Sequence, residues 1–140
     1  MSYDLDRFVV AQDPVYPAVL EELRRGRKTG HWMWFLFPQV AGLGSSETSR
    51  HFAIVDLDEA RALLAHPVLG ARLRECARMV LTSEGRTAEQ IFGTIDAKKL
   101  RSSMTLFHRA APDELVFGEV LDRFFDGAAD DATDARISPG

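Results

Sequence analysis

Cysteine is nearly absent: Cys76 stands alone among 140 residues, so no disulfide can close within the chain. Long apolar runs are absent too, none approaching the roughly 20 residues that a membrane span needs. The opening residues, MSYDLDRF, carry acidic groups where a secretory leader carries basic ones, and no apolar stretch follows. These absences predict a cytoplasmic chain without a membrane partner. A net positive charge is also absent. A formal charge of −4 leaves no electrostatic footprint for nucleic acid. The one basic cluster, Arg24 to Lys28, lies beside Glu21 and Glu22 and reads as a solvated helix end. His31, His51, His66 and His108 show no paired ligand spacing, so no metal is expected, and no cofactor motif is complete.

What is present is helical punctuation. In DPVYPAVLEELRRG, Asp13 can cap, Pro14 fits a first helical position and Gly26 fits a left-handed C-terminal turn. DLDRFVVAQ reads as a separate short helix upstream. Asp56 and Glu59 have capping-box spacing ahead of Ala60, Leu63 and Leu64. After Pro67, the apolar side chains Leu69, Leu73, Cys76 and Val80 recur at helical spacing. On that face Cys76 reads as a small core residue rather than a reactive thiol. A short helix runs from Thr87 to Phe92, closed by Gly93. A longer one is capped by Asp96 and stops before Pro112. In the last, Leu115, Val116, Val120, Leu121, Phe124 and Phe125 make a broad apolar face. Only FAIVDL hints at a strand. The expected fold is all-α, one compact domain over residues 1–127 with about six to eight short helices, followed by a flexible acidic tail at 128–140.

The blocks HWMWFLFPQVAGLGSS, AHPVLGARL and IFGTIDAKKLRSSMTLF resemble the signature segments of a bacterial family, domain of unknown function 1810, some of whose members carry a mistaken calpastatin label. The resemblance extends from about Leu5 to about Phe125. It implies a compact helical domain with armadillo-like helix packing, and it implies no activity, substrate, cofactor or catalytic residue.

Two polar blocks remain for chemistry. The first surrounds the aromatic run: Lys28, His31, Trp32 and Gln39 flank Phe35 and Phe37, side chains that each bury on the order of 150–250 Å² when packed. The second is DAKKLRSSM, where helical spacing sets Asp96 beside Lys99 and Lys99 beside Ser103. Ser102 and Ser103 stand mid-helix, where serine has no propensity advantage, which leaves close helix packing or ligand contact as reasons. The glycines of AGLGSSETSR match only the first half of a dinucleotide fingerprint, and Glu47 occupies the third position. Ser45 and Ser46 at the following helix start could hold an anion instead of making a plain turn. A Ser–Lys nucleophile pair lacks any visible oxyanion element.

The expectation is that the two blocks meet in space. Lys99 would then contact an anionic or nucleotide-like ligand, with Asp96 orienting it and Trp32 as an apolar wall. Lys28, His31, Gln39, Ser102 and Ser103 complete the candidate set. The alternative is a non-catalytic protein-interaction module, distinguished by a flat apolar patch instead of a polar pocket. A monomer is the expected state.

Overall fold

The computed structural model describes residues 3–137, so the last three residues of the expected tail lie outside the described ones. Ten helices follow one another among the described residues: α1 Asp6–Gln12, α2 Tyr16–Arg25, α3 Met33–Leu36, α4 Glu47–His51 and α5 Leu57–Ala65, then α6 Leu69–Leu81, α7 Ala88–Phe92, α8 Thr94–Ala110, α9 Leu115–Phe125 and α10 Asp131–Ile137. The fold is all-α, as the punctuation predicts, with more helices than expected. The two additional ones, α3 and α10, are a four-residue turn inside the aromatic run and a seven-residue helix in the acidic C-terminal segment.

Local chemistry explains most boundaries. Asp56 accepts from the Glu59 backbone N–H, and Thr87 and Gln90 form a complete capping box on α7. The ring Nδ1 of His66 accepts from the backbone N–H groups of Val68 and Leu69, satisfying otherwise orphaned donors at the start of α6. Gly26 ends α2 in a left-handed conformation with φ 72°.

Helix α8 runs through the centre and packs against α5, α7, α9 and α10, while α6 packs against α2, α5 and α9. Where they face the core, Leu69, Leu73, Cys76 and Val80 of α6 are all buried, which bears out the predicted stripe. Burial also pushes the Cys76 thiol up to about 12, so it stays protonated and inert at neutral pH.

Four local expectations need correction. Asp13 does not cap α2: it ends α1, and its carboxylate pairs with Arg72 at 2.8 Å, so α2 starts only at Tyr16 with Pro17 in its first turn. Asp96 does not cap α8 either. Gly93, at φ 84°, closes α7 and opens α8 together, placing Asp96 inside the first turn with its carboxylate free for side chains. Leu115 is 73% exposed, and Phe117 takes its place in the core with Val120 and Leu121. The FAIVDL segment contributes a single parallel bridge, Val40 to Ile54, and no strand.

The acidic segment after Gly127 carries α10. Asp130 accepts from the backbone N–H and the hydroxyl of Thr133 and from the Ser102 hydroxyl, at 3.1, 2.6 and 2.9 Å. Arg109 holds Asp134 through two hydrogen bonds. Thr133 is fully buried, and α10 lies on α8. In this segment Asp130 acts as a cap and Asp134 as an ion-pair partner.

Two substitutions test this packing. Leu73→Ala should lower stability by roughly 2–5 kcal/mol in chemical denaturation, the cost of a core cavity. Asp130→Ala should cost about 0.5–2 kcal/mol and expose α10 amides to faster hydrogen exchange, because the cap of that helix is lost.

Candidate functional site

The segment from Arg27 to Trp32 crosses between α2 and α7 as a strap, and its shape is dictated by one carboxylate. Glu22, 7% exposed on α2, accepts through one oxygen from the backbone N–H of Thr29 at 2.6 Å, that of Gly30 at 2.8 Å and the indole N–H of Trp32 at 3.0 Å. Burial raises the affinity of Glu22 for a proton, but the Gly30, Thr29 and Trp32 donors outweigh it and hold the carboxyl below its ordinary range. Gly30 is required here: a β-carbon would lie 2.8 Å from the Trp32 ring. Trp32 is 2% exposed and packs against Phe37 and Phe92, so it belongs to the core.

On the far side of the strap, Lys28 is anchored through its backbone N–H to the Ile91 carbonyl at 2.7 Å. Its ammonium donates to the Gly30 carbonyl at 2.5 Å and to Asp96 at 2.8 Å, 5.1 Å from the Trp32 ring centroid. The other Asp96 oxygen meets Lys99 at 3.1 Å, the i, i+3 pair predicted for α8. Lys99 then lies 4.3 Å from the centroid of Trp34, on its face. Burial of Asp96 raises its proton affinity, but hydrogen bonds from Lys28 and Lys99 and the charges of both hold its carboxyl below the usual range.

These groups line an open cleft of about 400 Å³ together with His31, Ser46 and Thr48. The structure therefore brings Lys28 and His31 from the first block to Asp96 and Lys99 of the second. The other four expected site residues go elsewhere. Trp32 is buried and does not line the cleft, and the apolar wall is Trp34, which lies among the aromatic run's core-forming residues in the sequence. Gln39 is in a neighbouring hollow. Ser102 donates to Asp130, and Ser103 is fully buried with no partner for its hydroxyl among the described residues. Helix α8 thus turns its two serines to packing after Asp96 and Lys99. Ser46, which the sequence offers as part of an anion-holding helix start, and Thr48, for which it gives no signal, join the wall from the start of α4.

The cleft lining has two ammonium groups sharing one carboxylate. Lys28 spends two of its three donors on protein oxygens, whereas Lys99 has one such partner and its side chain is 22% exposed. Among the described residues no three His, Cys, Asp or Glu side chains gather as a metal site requires, and no helix is long and apolar enough to cross a membrane.

The Glu22 network makes a pH prediction. Both Glu22 and Asp96 bind protons less readily folded than unfolded, so their stabilisation is fully present above the unfolded carboxyl range, near pH 4, and is lost as pH falls below it through their lowered folded values. Urea midpoints should fall between about pH 5 and pH 3. Glu22→Leu should cost about 2–4 kcal/mol at neutral pH, because buried donors are left unpaired, and should flatten the acid limb. An unchanged limb would exclude Glu22 as the organising acid.

Comparison with known proteins bears on the family and the fold. The family described as "Protein of unknown function (DUF1810)" matches residues 2–137. The crystal structure of the conserved hypothetical protein Rv1873 from Mycobacterium tuberculosis is similar, with a TM-score of 0.97 and 50% identity over 99% of each chain. Comparison with curated proteins yields no match. The resemblance carried by the His-Trp-Met-Trp block and its companions is thereby confirmed: the chain belongs to the DUF1810 family of proteins of unknown function.

Proposed function

We propose that the domain binds a small anionic ligand in the cleft between the Lys28–Trp34 strap and the start of α8. The observation that carries this reading is the charge arrangement: Lys28 and Lys99 share the single carboxylate of Asp96, leaving one positive charge of the lining unbalanced. An acid placed there by the sequence would have neutralised it. A ligand oxyanion does the same reversibly, with charge-assisted hydrogen bonds from the free donors of Lys99.

The surroundings favour a ligand that is more than a bare ion. Ser46 and Thr48 add hydroxyl-bearing residues on one side, and the indole of Trp34 adds a flat apolar wall on another. About 400 Å³ falls within the range of small-molecule sites. A few convergent polar groups beside an aromatic surface suit a phosphorylated or carboxylated metabolite. Asp96 acts as a positioning group, holding both ammoniums at 2.8 and 3.1 Å.

Inorganic phosphate is the simplest probe. Titrated at constant ionic strength against chloride, it should raise the melting temperature and change the fluorescence of half-buried Trp34. Lys99→Gln should weaken binding by about tenfold or more, the value of one charged hydrogen bond, while leaving the unliganded melting temperature nearly unchanged. No stabilisation by phosphate, or equal stabilisation of the variant, would overturn the reading.

A further inference from the structure

Gln39 has an unmet need. It is 5% exposed, and its side-chain amide nitrogen is buried with no hydrogen-bond partner among the described residues. Such a group costs about 1–3 kcal/mol unless something accepts from it. Its backbone cannot relax to find a partner. The Gln39 carbonyl accepts from Ile54 at 2.9 Å and the next bonding amide, Ala41, donates to the Ile54 carbonyl at 2.8 Å, clamping the residue in the Val40–Ile54 bridge.

Gln39 lines a hollow of about 190 Å³ together with Trp34, Phe52, Val40, Ala53, Ser49 and Arg50. The volume lies below the roughly 300–1,000 Å³ typical of drug-sized ligands, and so accepts a ring-sized group rather than a whole metabolite. Trp34, Phe52, Val40 and Ala53 make its apolar walls, with Ser49 and Arg50 as the polar part of the lining, a setting that suits a planar ring with polar edges. The closeness of Gly44 is a condition of that shape, since a β-carbon there would lie 3.0 Å from the outer edge of the Trp34 ring. Trp34 also borders the Lys28–Lys99 cleft, so the two concavities adjoin through one indole.

We infer that the Gln39 hollow is the ring subsite of the anion cleft, and that the ligand class is a phosphorylated heterocycle of the nucleoside monophosphate type. The phosphate pairs with Lys99 and Lys28, the ligand passes the edge of Trp34, and a ring acceptor takes the Gln39 amide N–H. The ring's faces meet apolar walls, while its one required hydrogen bond comes from the protein. This assignment rests on the anion reading above, and it goes further by naming what the anion is attached to.

Calorimetric titration separates the two claims. The probes are inorganic phosphate, adenosine and the four common ribonucleoside 5′-monophosphates, tested on the native chain, Gln39→Leu and Lys99→Gln. At least one monophosphate should bind about tenfold or more tighter than inorganic phosphate. Gln39→Leu should remove most of that advantage while leaving phosphate binding intact, and Lys99→Gln should weaken both. Because Leu fills much of the same volume, Gln39→Leu should fold, and its circular dichroism and melting temperature verify that it does. If phosphate binds but no monophosphate gains over it, or if the gain survives Gln39→Leu, the ring subsite is overturned and the anion cleft stands. If adenosine binds in a Gln39-dependent way while phosphate does not bind, the anion reading fails and the assignment of a phosphorylated ligand fails with it. If no probe binds, both are overturned.

Discussion

One buried carboxylate organises the part of the molecule where chemistry is available. Glu22 projects from α2 into a space it shares with the Thr29–Trp32 strap, and three N–H donors converge on a single one of its oxygens. A carboxylate 7% exposed without such donors would protonate or unfold its surroundings. With them it fixes the strap, and the strap fixes Lys28 toward Asp96 on one side and Trp32 into the core on the other. The cleft therefore depends on a network that is out of reach of any ligand in it. A chain of this kind, from buried acid to backbone to surface cation, holds a charged side chain in one place at little cost when the site is empty.

The second organising feature is the division of labour among aromatic residues. Within seven positions, Trp32 and Phe37 pack into the core and Phe35 leans on Phe52 at 5.3 Å, while Trp34 alone turns its face to Lys99. The one-turn helix α3 produces this: successive residues point in different directions around it, so a run of large side chains serves both the core and two surface hollows. Aromatic density in a short segment is thus compatible with both bland packing and a site wall, and geometry alone separates them.

The polar groups of α8 and α10 make the complementary point. Ser102, Thr105 and Asp130 form a small network that docks the C-terminal helix, with Thr105 accepting from the Asp130 backbone at 2.9 Å and Ser102 donating to its carboxylate. Mid-helix serines here serve close packing and capping. The same helix presents Asp96 and Lys99 to the cleft one to two turns earlier. Adjacent positions on one helix can therefore belong to unrelated tasks, and shared spacing does not imply shared function.

What the sequence determined by itself was whatever rests on local chemistry. Capping residues, proline and glycine positions and the 3.6-residue repeat of Leu69, Leu73, Cys76 and Val80 are short-range effects, and they made the all-α class, most helix ends and the α6 core face readable. Asp96 and Lys99 were legible for the same reason, as neighbours one turn apart. Tertiary structure decided the rest. Which of two tryptophans is buried depends on Glu22, ten residues from Trp32 and recognisable as its partner only once the strap folds back. Whether an acidic segment floats or docks depends on Ser102 and Arg109, 28 and 25 residues away from the carboxylates they meet. Those partners are chosen by packing, and no periodicity along the chain encodes a contact that the chain makes only after the core has formed.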